Sequence, residues 1–229
     1  MSSVGAPVQV GLIETMRARG RRLPWLGRHL DRLRASMAAL GAAAPPDALS
    51  DLIRFAAGSR DRVVRVQVTD GHAEIATRDV NAEQTISVIV SREVHRPYPY
   101  KTTEREQFGR ALAGARRVGA HDALLVTAEG FAAEGTTWNL FWWDKGGGLL
   151  CTPAASLGIL RGLGRQRIME LAPVEERQAR VAELSGGGRG RSLFVVNAVR
   201  GVVQVETFEG APVPRDPRTA ELAAAFWPD

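Results

Sequence analysis

A single cysteine, Cys151, stands among the 229 residues, so no internal disulfide framework can form and a reducing compartment suits the chain. Cys151 itself reads as a small buried apolar group. No uninterrupted apolar run reaches the roughly 18 residues that a membrane-crossing helix requires. The opening MSSVGAPVQVGLIETMR also lacks the charged stretch followed by an apolar one that marks a secretory leader. These absences point to a soluble protein of the cytoplasm. Lysine is nearly missing as well: of 30 basic residues only Lys101 and Lys145 are lysines. The basic residues are spread from Arg17 to Arg218 among 25 acids, without the aromatic interleaving that stacks bases. The net charge of +5 is therefore weak ground for a nucleic-acid role, and the run SGGGRGRS at 185–192 reads as a solvated loop.

What is present is ordinary globular composition, 45% hydrophobic and 24% charged, in a chain long enough to bury a core. Val8, Val10 and Leu12 alternate as a strand does, and Gly20 suggests a hairpin turn running on to Trp25. From Gly27 to Leu40 the spacing of Leu30, Leu33, Met37 and Leu40 is helical, with Gly41 as the stop. A shorter helix is expected near 47–57, then strands in RVVRVQVTDG, HAEIAT and TISVIV. SREVHRPYPY at 91–100 holds two prolines and no period, so it reads as a connection. Beyond it come a helix on Phe108, Leu112 and Ala115, strands in DALLVT, TTWNLFWWD and GLLCTP, a helix on Leu163, Ile168 and Leu171, strands in SLFVVNAV and VVQVETFEG, and a last helix near 216–226. The pattern is α+β. A small α/β lobe is expected over 1–92, a connection over 93–101 and a larger β-rich lobe over 102–229.

Five stretches in order carry a resemblance: LIETMR with LGRHLDRLRASMAALG, PYPYKTTER, GAHDALLVTAEGFAAEGTTWNLF, LLCTP with LGILRGLGR, and NAVRGVV. From about Leu12 to Val205 the chain resembles the class IV aminotransferase family, pyridoxal-phosphate enzymes of fold type IV. That resemblance implies a two-lobe molecule with a pseudo-barrel C-terminal lobe, bound pyridoxal 5'-phosphate, an amino substrate, and a homodimer closing the site. No metal is implied.

An enzyme working through pyridoxal phosphate needs a lysine, an acid at the pyridine nitrogen, donors for the phosphate and a water-excluding cavity. Taken alone, a lysine after a Pro-Tyr segment reads as a solvated side chain, and Lys145 in DKGGG as part of a surface turn. By resemblance, Lys101 matches the lysine that holds the cofactor as an imine and shuttles the proton. Glu134 in AAEGTTWNLF matches the glutamate that bonds the pyridine nitrogen and keeps the ring protonated. Arg32 in HLDRL matches the phosphate-gripping arginine, and it lies off the apolar stripe of its helix. Gly162, Leu163 and Gly164 match the phosphate cup at a helix N-terminus, and Asn197 and Ala198 a second phosphate-side segment. Glu14 in LIETMR reads either as a structural acid or as a residue on the substrate side.

LIETMR, YKTTER and NAVRGV resemble aminodeoxychorismate lyases, which release pyruvate from 4-amino-4-deoxychorismate to leave 4-aminobenzoate in folate biosynthesis. Tyr100 stands where those lyases commonly have histidine, and Gly164 where the family usually has a hydroxyl residue. Asp70 replaces the arginine of D-amino-acid transaminases, and Glu106 the tyrosine of branched-chain transaminases. A transaminase acting on a small amino acid or amine is the alternative reading. A third is an inactive basic binding module, against which the joint presence of Lys101, Glu134 and Arg32 argues.

Overall fold

The computed structural model describes residues 10–80, 85–144, 148–185 and 191–228. Val8, Lys145 and positions 186–190 of the SGGGRGRS run lie outside the described residues. The chain divides into two compact units. The first takes the chain up to Asp79 together with Tyr100–Glu104, and the second takes Val80–Pro99 and everything from Arg105 onward.

In the first unit, strands β1 (Leu12–Ala18), β2 (Arg62–Thr69) and β3 (His72–Arg78) form an antiparallel sheet in that order. Helices α1 (Leu26–Leu40) and α2 (Leu49–Ala57) supply its apolar cover. The helical spacing is what buries them: Leu26, Leu30, Leu33 and Met37 on α1, and Leu49, Ile53 and Ala57 on α2, join Leu12, Met16 and Val66 of the sheet in one cluster. β2 and β3 meet through Asp70 and Gly71, both left-handed at φ 51° and 75°, the geometry that a two-residue hairpin loop requires. The hairpin expected at Gly20 shrinks to one bridge between Arg19 and Arg22. Pro24 has no amide hydrogen to extend a ladder, and Trp25 turns the chain into α1 at φ 62°. β1 pairs with β2 instead, Leu12 opposite Val68 through Ala18 opposite Arg62.

The second unit is built on one sheet, in the order β6-β5-β4-β11-β10-β7-β8-β9, with β12 paired to β11. Its strands are β4 (Thr85–Val94), β5 (Asp122–Val126), β6 (Ala132–Gly135), β7 (Asn139–Trp143), β8 (Leu150–Pro153), β9 (Val174–Arg177), β10 (Ser192–Asn197), β11 (Gly201–Phe208) and β12 (Ala211–Pro212). The sheet curls into a half-barrel: the Ala132 amide of β6 donates to the Ala179 carbonyl just beyond β9 at 2.8 Å, so the two ends of the strand order meet. Trp138, Leu140, Trp142, Leu193 and Val205 fill it, with Cys151 buried among them. Helix α3 (Glu106–Arg117) covers β4 and β5 through Phe108, Ala111 and Ala115. Helix α4 (Leu163–Leu171), the single turn α5 (Val181–Leu184) and helix α6 (Pro217–Ala225) complete the unit.

β4 lies parallel between β5 and β11, so the boundary expected at residue 92 falls inside a strand of the second unit. Its alternating buried residues, Ile86 and Val88, pack into the half-barrel core. Among the described residues no helix is long and apolar enough to cross a membrane.

Ile53 is fully buried and Phe55, two residues on, is 89% exposed. Ile53→Ala should cost about 2–5 kcal/mol in urea unfolding and Phe55→Ser no more than about 0.5 kcal/mol. Similar losses for both variants would contradict the packing of α2.

Candidate active site

β1 alternates its side chains, and Glu14 shares the inward face of Leu12 and Met16. A carboxylate placed there needs partners, and α1 provides two. The Glu14 Oε2 atom lies 2.6 Å from His29 Nδ1 and accepts from Arg32 Nη2 at 2.6 Å, while Oε1 accepts from Arg32 Nε at 2.8 Å. This is a bidentate guanidinium–carboxylate pair backed by a histidine. Burial alone would raise the Glu14 pKa, but the Arg32 charge and the hydrogen bonds from His29 and Arg32 outweigh it and hold the carboxyl at about 2. Burial pushes the His29 pKa down, against the pull of Glu14, and Nε2 of that ring is buried without a partner among the described residues. Arg32 is thus fixed along one edge, and among the described residues its Nη1 amino group meets no acceptor.

Lys101 belongs to the same unit. Its carbonyl accepts from the Ile13 amide at 2.8 Å, Thr102 bridges to Leu12, and the Thr103 amide donates to the Gly11 carbonyl at 2.8 Å. The lysine backbone is therefore tied to the strand that carries Glu14. Its positive charge reaches His29, where it opposes protonation of the ring.

In the second unit Glu134 of β6 is buried at 4% exposure. Among the described residues its two hydrogen bonds fall on Oε1, one from His95 Nε2 at 3.1 Å and one from the Leu160 amide at 3.1 Å. Burial raises the Glu134 pKa, and His95, the Leu160 amide and the Arg105 charge only partly oppose it. The turn after β6 is pinned by Asp122, whose Oδ1 accepts from the amides of Thr136 at 3.0 Å and Ala123 at 2.6 Å.

Leu160 leads directly into the glycine turn. Gly162 is the N-cap of α4, and no side chain caps that helix end. A Cβ on Gly162 would lie 2.3 Å from Asn139 Oδ1, and one on Gly164 would lie 2.9 Å from both Cα and the carbonyl carbon of Asn197. Asn197 closes its own turn by accepting from the amides of Val199 and Arg200 at 2.9 and 2.8 Å. Gly164 therefore stands where a hydroxyl residue was expected because its helix runs against the β10 backbone with no room for a side chain. A bare helix N-terminus without side chains at 162 and 164 suits an anion such as a phosphate group.

The structure brings Glu134, Gly162, Leu163, Gly164, Asn197 and Ala198 into one unit, and Lys101 and Arg32 into the other. The sequence reading left Glu14 between a structural acid and a substrate-side residue, and it passed over His29 and His95. His29 was detectable in the helical stripe of Leu26, Leu30 and Leu33. His95 had no such signal, since 95–100 follows no period.

Two outcomes test this geometry. A folded carboxyl near 2 against 4.5 in the unfolded chain contributes its full stability above about pH 4.5 and loses it as pH falls toward 2. The stability gap between wild type and Glu14→Gln, about 3–5 kcal/mol at neutral pH in denaturant melts, should close over that window. Gly164→Ala must displace Asn197 and should cost about 1–3 kcal/mol, whereas Gly148→Ala, with open space around its Cβ position, should cost far less.

A family model described as "Amino-transferase class IV" matches residues 11–208. Over 128 residues the chain is 34% identical to a probable branched-chain-amino-acid aminotransferase of Thermotoga maritima, covering 51% of this chain and 44% of that protein. Over 116 residues it is 31% identical to a bifunctional aminodeoxychorismate lyase / D-amino acid transaminase of Mycobacterium tuberculosis, covering 46% of this chain and 39% of that one. These matches span less than half the length of either relative. A solved branched-chain aminotransferase from Thermoproteus uzoniensis superposes with a TM-score of 0.83 at 23% identity, over 94% of this chain and 84% of that one, and shows the same fold. With the family model spanning both units, the chain belongs to the class IV aminotransferase family.

Proposed function

We propose that the protein is a pyridoxal-phosphate enzyme with an aminodeoxychorismate lyase-like activity, releasing pyruvate from 4-amino-4-deoxychorismate to give 4-aminobenzoate. The observation that carries the cofactor reading is Glu134: a buried carboxylate that among the described residues is bonded only through Oε1, and that gains most from a cationic N–H placed at Oε2. A protonated pyridine nitrogen is such a group. The uncapped, side-chain-free start of α4 suits the phosphate, with Asn197 against it; for Arg32, Ala198 and the glycine turn the phosphate role is what the family resemblance implies.

When bound, pyridoxal phosphate supplies a ring that accepts the electron pair left when a bond at the amino-bearing carbon breaks. The protein's part is to hold, orient and move protons. Lys101 Nζ takes the proton from that carbon, and the backbone bond between Lys101 and Ile13 sets where that amine starts. Glu134 would keep the pyridine nitrogen charged.

The lean to lyase chemistry rests on LIETMR, YKTTER and NAVRGV, and a relative named partly for that activity supports it. A transaminase acting on a small amino acid is the second reading, favoured by the 34% identity to an aminotransferase. On either reading the protein works in the cytoplasm as a homodimer on a small amino substrate.

Protein incubated with pyridoxal phosphate should show a visible band that borohydride fixes onto Lys101, as read by peptide mapping. Lys101→Ala should lose the band and all turnover. Label on Lys145 alone would overturn the assignment. With 4-amino-4-deoxychorismate, stoichiometric pyruvate would support the lyase, and amino transfer to a keto acid without pyruvate would establish the transaminase instead.

A further inference from the structure

His95 is six residues upstream of Lys101 in the sequence and takes no part in the chemistry above. It is 5% exposed, and its Nε2 lies 3.1 Å from Glu134 Oε1. Its other ring nitrogen, Nδ1, is buried without a partner among the described residues. A histidine that merely filled space would seldom bury both nitrogens with one left unsatisfied, because each lost hydrogen bond costs free energy. The arrangement is explained if the single bond to Glu134 is what the ring is there to make.

We propose that His95 is the positioning residue of the pyridine-binding carboxylate: donating Nε2–H to Glu134 Oε1, it joins the Leu160 amide in fixing that oxygen, so that Oε2 is the one presented to the ligand. This rests on the reading of Glu134 as the acid at the pyridine nitrogen. Two donors converge on Oε1 from different parts of the unit, His95 from the end of β4 and Leu160 from the segment before α4. Together they remove the rotation that would let either oxygen face the ligand. They also stabilise the anion in a place where burial favours the neutral acid, and an anion is what a pyridinium nitrogen needs. The nearby charged group is Arg105 of the same unit, whose guanidinium donates to the Thr136 carbonyl at 2.5 Å and lies 4.7 Å from the Phe108 ring centre. It adds a field but no direct bond to the carboxylate, so directing Oε1 falls to His95 and Leu160.

The experiment compares wild type with His95→Leu, His95→Gln and Glu134→Gln, by pyridoxal-phosphate dissociation constant from tryptophan fluorescence and by the pH dependence of the visible band. A hydrogen bond to a charged group corresponds to roughly 10- to 100-fold in an equilibrium constant. His95→Leu should therefore weaken cofactor binding at least about 10-fold and shift the pH midpoint of the band, while His95→Gln, which keeps a donor, should recover most of both. Should His95→Leu fail to fold, His95→Met, which keeps apolar volume without the donor, takes its place in a double cycle with Glu134→Gln: coupling of about fivefold or more supports the proposal, and additivity within twofold overturns it. Unchanged affinity and midpoint in a folded His95→Leu, with Glu134→Gln still impaired, would sink this role for His95 and leave the cofactor reading intact. A wild-type protein that takes up no pyridoxal phosphate would overturn both.

Discussion

A carboxylate taken out of water must either find partners or keep its proton, and each unit buries at least one such group. Glu14 and Glu134 each sit on a strand, each is buried, and each is met by a histidine. What separates them is a cation at contact distance. Arg32 grips Glu14 through two bonds and drives its pKa to about 2, whereas Glu134 has a histidine and one amide, so burial prevails and its proton affinity rises. Two carboxylates pushed in opposite directions by their surroundings have different uses. Glu14 is a permanent anion whose work is to aim an arginine. At Glu134, where burial raises the pKa, a cationic group brought to the carboxyl would favour the anion.

That difference explains the backbone around each. Glu14 needs α1 directly over β1, and the stripe of Leu26, Leu30 and Leu33 supplies it, bringing His29 and Arg32 within reach three residues apart. Glu134 needs an amide from a distant segment, which the curl of the half-barrel brings round: β6 and the chain after β9 bond to each other, and Leu160 lies between β8 and α4. Close approach finishes the arrangement. Gly164 lets α4 touch the backbone of Asn197, and any side chain there would push the helix N-terminus away from the strand.

Much of this was legible in the sequence because it depends on period. α1 and α2 follow their apolar spacing to within a residue or two, and the Asp70-Gly71 hairpin its turn chemistry. What depends on long-range pairing was not legible. β1 had to choose β2 over its own continuation, and only the missing amide of Pro24 hints at that. β4 looks like any alternating strand, and nothing local says that it will lie between β5 and β11. β6 is four residues of AAEG with little strand character, kept extended by its neighbours. His95 belongs with these, because its meaning comes entirely from a partner 39 residues away.

The same reasoning bears on which reaction the family fold performs here. Asp70 was set against the D-amino-acid transaminases and Glu106 against the branched-chain ones, yet each answers to its own backbone. Asp70 is exposed in a left-handed turn position where aspartate is well tolerated. Glu106 is an exposed acid in the first turn of α3, where the helix dipole favours it. Residues with a sufficient local reason carry no vote on the substrate. Arg105 differs from both in having a long-range setting: a half-buried guanidinium held by the Thr136 carbonyl and the Tyr98 ring, with its charge acting on Glu134 across the chain.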